Sequence, residues 1–269
     1  MNALEGKALI IGASGGIGQE IARQLAARGI HVVLVGRRRQ ALETLAEQLH
    51  NSGATASIIS ADLATDAQAI AHDTLAMVGA PDLLINCAGM QTFGFSQFES
   101  SNETSQLFSA NIVGPIQLIN ALLPSMLLRK KGHIVNVGSI FGSIAYPCFA
   151  SYSASKFALR GFSEALRREL HGSGIQVNYI APRYTHTSFN HDAVAQMATA
   201  LKMNQDQPEA VAAKIIAAIE QNRANSYLGW PEKLFVRINA ILPGLVDSSL
   251  IKQVKQMSPF ARMKPLRQG

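Results

Sequence analysis

The sequence predicts an α/β protein: a doubly wound parallel sheet of seven strands with helices on both faces, followed by a helical C-terminal extension. Three features carry this expectation. Short apolar runs, many of them β-branched, alternate with longer segments of helical period, as a parallel sheet covered on both faces requires. A glycine-rich turn joins the first apolar run directly to the first helical segment. The length, 269 residues, suits one such domain with an appendage.

The expected strands are Ala8 to Ile11, His31 to Val35, Thr55 to Ser60, Leu83 to Asn86, His133 to Val137, Gln176 to Ile180 and Asn225 to Leu228. Helices are expected between them, among them Gly16 to Arg28 and Gln40 to His50, the second with Leu42, Leu45, Ala46 and Leu49 on one face. The longest uncharged stretch, Thr104 to Leu128, has the length of a membrane span. Asn111, Pro115, Gln117, Asn120 and Pro124 interrupt it, so it reads as a helix buried in the protein or at a subunit contact. Residues 1–230 form the expected domain and residues 231–269 the extension.

Composition narrows the function classes. Hydrophobic residues make up 48% and charged residues 16%, which excludes a disordered chain. The formal charge of +6 is unevenly placed. Residues 1–230 carry 17 basic and 16 acidic side chains, a net of +1. The last 39 residues carry Lys233, Arg237, Lys252, Lys255, Arg262, Lys264 and Arg267 against Glu232 and Asp247, a net of +5. A basic tail on a nearly neutral body is no nucleic-acid footprint. Two cysteines, Cys87 and Cys148, are too few for a disulfide framework or a cysteine-rich metal site, and no metal site is expected. With no apolar signal core before the first strand, the expected location is cytoplasmic.

The turn Ile11-Gly12-Ala13-Ser14-Gly15-Gly16-Ile17-Gly18 spaces its glycines G-x-x-x-G-x-G rather than G-x-G-x-x-G. Backbone N–H groups at a helix start bind phosphate, and absent side chains let a pyrophosphate approach. Alone, such a turn fits a tight connection equally well. After the second strand comes Gly36-Arg37-Arg38-Arg39, where an NAD binder would place an acid for the ribose hydroxyls. A guanidinium there pairs with a 2′-phosphate, so NADP(H) is the expected cofactor, with Arg37 and Arg38 reading it and Arg39 in solvent. Asp62-Leu63 follows the third strand where an adenine could be contacted, and Asn86-Cys87-Ala88-Gly89 closes the fourth with small residues.

Chemistry is most legible at Gly138-Ser139 and Ser151-Tyr152-Ser153-Ala154-Ser155-Lys156. Tyr152 and Lys156, one helical turn apart, project from one face. Ser139 ends the fifth strand and Tyr152 opens the next helix, so the three can converge at the carboxyl edge of the sheet. Gly12-x-x-x-Gly16-x-Gly18, Asp62, Asn86-Cys87-Ala88-Gly89, Asn111, Ser139 and Tyr152-x-x-x-Lys156, in that order across about residues 6–230, resemble the short-chain dehydrogenase/reductase superfamily. The resemblance implies that residues 1–230 are an NADP(H)-binding domain of Rossmann-type fold, with a loop at 184–207 closing over substrate, and that four residues carry catalysis. Tyr152 would be the general acid or base, Ser139 would hold the substrate oxygen, Lys156 would bind the nicotinamide ribose and Asn111 would support a water relay. It also implies cofactor contacts by Ser14, Gly15, Ile17, Leu63, Ala88, Gly89, Pro182, Thr185 and Thr187 beside the residues above. A homodimer or homotetramer is implied too, with Asn111 to Leu128 and Phe157 to Leu170 as contact helices.

The chain departs from the family pattern at three places. Ile11 stands where the family often has threonine, Cys87 replaces a second asparagine, and Arg183 replaces the glycine of a Pro-Gly pair. Arg183 would therefore alter the loop backbone or place a cation near the substrate. Phe189, Val194, Met197, Leu201 and Met203, with Phe93, Phe95, Phe141, Tyr146 and Phe149 opposite, predict an apolar pocket for a hydrophobic ketone, aldehyde or alcohol. A 3-oxoacyl reductase, with an acidic carrier suiting a basic surface, is the alternative enzyme. A catalytically silent nucleotide-binding or membrane-associated scaffold is the reading from another class. In the extension, Leu234, Phe235, Ile238, Ile241 and Leu242 form one apolar stripe beside Lys233 and Arg237. Leu250, Ile251, Val254 and Met257 form a second opposite Lys252 and Lys255. These stripes either pack on the domain or a neighbouring subunit, or make residues 231–257 a peripheral contact to an anionic membrane.

Overall fold

A computed structural model describes residues 4–261. The expected basic residues Arg262, Lys264 and Arg267 lie outside the described residues. Seven parallel strands, β1 (Lys7–Ile11), β2 (His31–Gly36), β3 (Ala56–Ser60), β4 (Leu83–Asn86), β5 (Gly132–Val137), β6 (Ile175–Ala181) and β7 (Asn225–Tyr227), pair in the order β3-β2-β1-β4-β5-β6-β7. All seven expected strands are present, with no end differing by more than one residue. The order reverses between β1 and β4, and ligands of such sheets bind in the crevice beyond the strand ends there.

Successive side chains point to opposite faces, and both faces are covered by helices, which explains why the central strands β1 and β2 are apolar at nearly every position. In β1, Ala8 and Ile10 face α1 (Gly16–Ala26), α2 (Arg39–Asn51) and, later in the chain, the helix Pro208–Glu220; Leu9 and Ile11 face the opposite layer. That layer contains α3 (Leu63–Val78), α4 (Ser101–Phe108), α5 (Gly114–Arg129) and α6 (Ala150–Glu169). Leu42, Leu45, Ala46 and Leu49 of α2 are buried as their spacing predicts. The first helix ends at Ala26 rather than Arg28 because the chain turns back through Gly29, which has a φ of +78°.

The uncharged stretch forms one 29-residue helical run, Ser101–Arg129, long and apolar enough to cross a membrane by length and composition. Its inner face is packed instead: Leu118, Ile119, Leu122 and Met126 lie in the core against α3 and the sheet. A π-helical turn, Ser109–Val113, interrupts it and brings Asn111 inward. The remaining helices are α7 (Asp192–Ala200), α8 (Pro208–Glu220), α9 (Glu232–Ile241) and α10 (Pro243–Met257).

The last two helices are tied to the sheet's carboxyl edge. Asn239 donates to the Ser143 carbonyl (2.9 Å) and the Tyr146 hydroxyl to Gln253 Oε1 (2.5 Å). Only parts of the expected stripes are covered. In α9 the buried residue is Val236, which is in neither expected stripe and packs on Ile140, Ile144, Tyr179 and Ala181; in α10 Met257 packs on the aromatic cluster around Phe149. Leu234, Phe235, Ile241, Leu242 and Ile251 are exposed, because α9 turns inward a face centred on Val236 rather than the predicted stripe and α10 buries only the Met257 end of its own.

Candidate active site

The crevice begins at the glycine turn. Gly12 has a φ of +83°, and a Cβ there would lie 2.6 Å from the Ala88 backbone, so the β1 and β4 turns meet only because that atom is absent. Gly12 and Ala13 donate to the Val35 carbonyl (2.9 and 3.0 Å), and Gly15 donates back to Gly12 (3.0 Å), pinning the loop. Helix α1 then starts with no side-chain cap and no acid in its first turn. Its leading N–H groups at Gly16, Ile17 and Gly18 open on a cavity of about 740 Å³ lined by Gly12, Gly15, Gly16, Ile17 and Gly18. An uncapped helix start facing a cavity fits an anionic pyrophosphate.

The expected adenosine side is assembled around the same turn. Arg38 donates to the Ser14 carbonyl, and Arg37 lies 3.7 Å from Asp62. Arg39 pairs with Glu43 at 2.8 Å, in solvent as expected. Asp62 also caps α3 by accepting from the Ala64 N–H (3.0 Å), and Leu63 is buried in the core beneath it. Ala88 and Gly89 line the cavity, while Asn86 is buried and donates to Asn136 Oδ1 (2.8 Å). Thr187 reaches the turn from the opposite side, its methyl 2.6 Å from where a Gly16 Cβ would stand. Pro182, Thr185 and Thr187 all line the cavity. Their loop is held by Ile140 N–H on the Pro182 carbonyl (3.0 Å) and Asn190 on the Thr185 carbonyl (2.7 Å).

Ser139, Tyr152 and Lys156 converge on one wall of this cavity. Ser139 follows β5 and Tyr152 lies at the start of α6, its ring 5.7 Å from the Lys156 ammonium. Lys156 is 3% exposed and Tyr152 6%. Burial pushes the Tyr152 phenol up to about 12, opposed by its hydrogen bond with Ser139, and brings the Lys156 ammonium down to about 8. Among the described residues no side chain or carbonyl accepts a hydrogen bond from that ammonium, which leaves its three donors for a ligand. A ribose diol suits those donors, and the uncapped α1 start suits the phosphates, so the residues present fit a nicotinamide dinucleotide.

Asn111 occupies a different place in the network. Its Nδ2 donates to Ser155 Oγ and the Met90 carbonyl (both 2.9 Å), and its Oδ1 accepts from the Met90 N–H (2.8 Å). The side chain thus braces the Gly89-Met90 turn beside Lys156. Cys87 is a packed side chain, its thiol pushed up to about 12 by burial. Ser143 and Ser153 are structural, bound by Arg160 and the Tyr146 N–H. His186 and His191 belong to no cluster that could hold a metal among the described residues.

The far wall is apolar. Phe189, Val194, Met197, Leu201 and Met203 line it as expected, with Phe141, Tyr146 and Phe149 opposite. Phe93 and Phe95 do not line the cavity. They pack in the aromatic cluster behind it, the Phe93 ring tilted at 33° and 4.8 Å from Phe149, so that Phe149 stands between Phe93 and the cavity. Unforeseen in the sequence, α9 and α10 complete the wall with Phe235, Ile238, Leu245, Val246, Leu250 and Gln253.

Arg183 places no free cation at the substrate. Its guanidinium grips Asp206 with two hydrogen bonds (3.0 and 2.9 Å) and donates to Glu232 and the Trp230 carbonyl (both 3.0 Å). One side chain on the β6 loop thereby fastens both the substrate loop and the start of α9. Sequence reading also missed Tyr179, whose hydroxyl donates to the Ser139 carbonyl (3.2 Å) and steadies the Ser139 backbone. Its position within an apolar strand gave no sign of this.

The short chain dehydrogenase family profile matches residues 6–198. Dehydrogenase/reductase SDR family member 7B of Bos taurus is 34% identical over 253 residues, covering 88% of this chain and 78% of that one. A short chain dehydrogenase/reductase from Burkholderia phymatum, solved in complex with NAD, superposes with a TM-score of 0.83 at 25% identity over 91% of this chain and 97% of that one. A gluconate 5-dehydrogenase from Burkholderia cenocepacia in complex with NADP and tartrate gives a TM-score of 0.75 at 28% identity, covering 82% and 92%. With the glycine turn, the Ser139, Tyr152 and Lys156 wall and the seven-stranded sheet already in place, these matches make the chain an oxidoreductase of the short-chain dehydrogenase/reductase superfamily.

Proposed function

We propose that this protein interconverts a hydrophobic ketone or aldehyde and its alcohol, using NADP(H). The observation that carries the reading is the meeting, in one cavity, of a Ser139, Tyr152 and Lys156 wall with a lining otherwise dominated by aromatic and aliphatic side chains. A nicotinamide dinucleotide in the glycine-turn crevice supplies or accepts the hydride. In the reducing direction, the Tyr152 phenol donates its proton to the carbonyl oxygen as negative charge develops there. The Ser139 hydroxyl donates to the same oxygen and is held for this by Phe141 N–H on its Oγ (3.1 Å). Lys156 binds the ribose diol and, as a cation beside Tyr152, stabilises the phenolate left behind. Asn111 keeps the Gly89-Met90 turn in place, which supports a proton path from Lys156 toward water.

NADP(H) rather than NAD(H) is favoured by Arg38 at the Ser14 carbonyl and Arg37 at Asp62, two guanidiniums where a ribose 2′-phosphate would lie. The exposed Leu128 and Phe157 on α5 and α6 favour a homodimer or homotetramer through those helices. The test is consumption of NADPH and of NADH with a panel of aldehydes, aliphatic and aromatic ketones and 3-oxoacyl thioesters. NADPH-dependent turnover of the apolar carbonyls, lost in Tyr152→Phe, is the expected result. Tight NADPH binding with no turnover of any carbonyl or alcohol would identify a silent scaffold instead.

A further inference from the structure

Exposed apolar side chains are concentrated at one place on this molecule. Of the twelve large hydrophobic residues exposed among the described residues, seven lie between 230 and 251: Trp230, Leu234, Phe235, Ile241, Leu242, Leu245 and Ile251. Ile241 is 76% exposed, Trp230 70% and Ile251 67%, and contiguous apolar exposure of this kind marks an interaction surface. Phe235 and Leu245 belong to both settings, lining the cavity and reaching solvent, so the patch surrounds a mouth of the apolar cavity.

The charges around it have one sign. Lys233, Arg237, Lys252 and Lys255 are exposed on the same two helices, and none pairs with an acid among the described residues. Of the two acids on these helices, Glu232 is held by Arg183, leaving Asp247 alone against four cations.

We infer that α9 and α10 dock this protein on an anionic lipid bilayer, with the cavity mouth opening toward the acyl chains. A second copy of the chain is a poor occupant: a two-fold contact through this face would set the four cations against their own copies. A bilayer carrying acidic headgroups pairs with the cations and takes the apolar tips into its interface, which satisfies both halves of the patch together. Arg183 holds the start of α9 to the β6 loop through Glu232, so the docked hairpin stays in register with the active site. Docking stands on the patch alone; delivery of substrate from the bilayer rests on the function proposed above.

Trp230 is the single tryptophan and a member of the patch, which makes it an internal probe. The full chain is mixed with phosphatidylcholine vesicles with and without phosphatidylserine, and both flotation and tryptophan emission are read. Co-flotation with the phosphatidylserine vesicles, weakened by salt, with a blue shift of emission and quenching by brominated lipid, is expected. The double variant Ile241→Asp and Ile251→Asp should lower vesicle affinity at least about tenfold while keeping turnover of a water-soluble aldehyde. Neither position lines the cavity. Absence of co-flotation with an unmoved Trp230 emission would overturn docking, as would a double variant that binds vesicles like the wild type. A concentration-dependent dimer abolished by the same double variant, without vesicle binding, would overturn it in favour of a second copy. Vesicle binding by a protein that turns over no carbonyl would leave docking standing and defeat the proposed function.

Discussion

Replacing the buried lysine should stabilise the protein while destroying its chemistry. Lys156 is 3% exposed and its ammonium has no hydrogen-bond acceptor among the described residues; burial moves it from 10.5 to about 8. At 1.36 kcal/mol per pH unit, a displacement of that size corresponds to a burial cost of about 3 kcal/mol for the charged form, an upper figure. The sign follows from proton counting. Between pH 8 and 10.5 the unfolded chain holds the proton and the folded one does not, so stability rises with pH across that window. Below pH 8 the folded protein bears the whole cost, and above 10.5 none of it. Lys156→Met keeps an unbranched chain of similar length without the charge. At pH 7 it should raise stability by about 1–3 kcal/mol, or about 3–10 °C in Tm by circular dichroism. At pH 10 the advantage should shrink below about 1 kcal/mol. Turnover should be lost in the same variant. A Lys156→Met protein less stable than the wild type at pH 7, or a stability gain of equal size at both pH values, would refute the assignment of Lys156 as an uncompensated buried cation.

Other perturbations separate the remaining roles. Tyr152→Phe removes only the proton donor and should lower kcat about 10²–10⁴-fold, with NADPH affinity by fluorescence titration held within about twofold. Arg38→Ala should cut the preference for NADPH over NADH about tenfold or more, as the loss of one charge-assisted contact predicts; unchanged kcat/KM for both cofactors would remove Arg38 from phosphate recognition. Arg183→Ala leaves Asp206 and Glu232 without their shared cation. A fully buried pair broken this way costs about 3–5 kcal/mol, and partial solvent access reduces that to about 2 here. The loss should appear as a lower Tm and a raised KM for bulky apolar substrates, with little change for a small aldehyde, and an unaltered Tm would show that the network fastens nothing.

Much of the site was legible because its parts are local in sequence. The helical spacing of Tyr152 and Lys156 already places both on one face, and Gly12, Gly16 and Gly18 declare a turn that tolerates no side chain. Ser139 was legible as the residue ending a strand. Arg183 shows where reading stopped. Its replacement of a glycine was plain, but the acids that neutralise it, Asp206 and Glu232, lie 23 and 49 residues away, and no periodicity links them. Tyr179 was hidden similarly, since a buried tyrosine in an apolar strand looks like core until its hydroxyl is seen to hold the Ser139 backbone.

Sequence alone determined the sheet and its two covered faces and brought Ser139, Tyr152 and Lys156 to one sheet edge, because apolar period and motif spacing act over a few residues. Tertiary structure decided which face of each extension helix is covered, that α9 and α10 close the cavity, and that Phe93 and Phe95 stand behind it. Those outcomes depend on which surfaces meet after the chain has folded back on itself. An amphipathic pattern specifies that a helix has an apolar face, whereas the shape of the surface it meets sets how much of that face is buried.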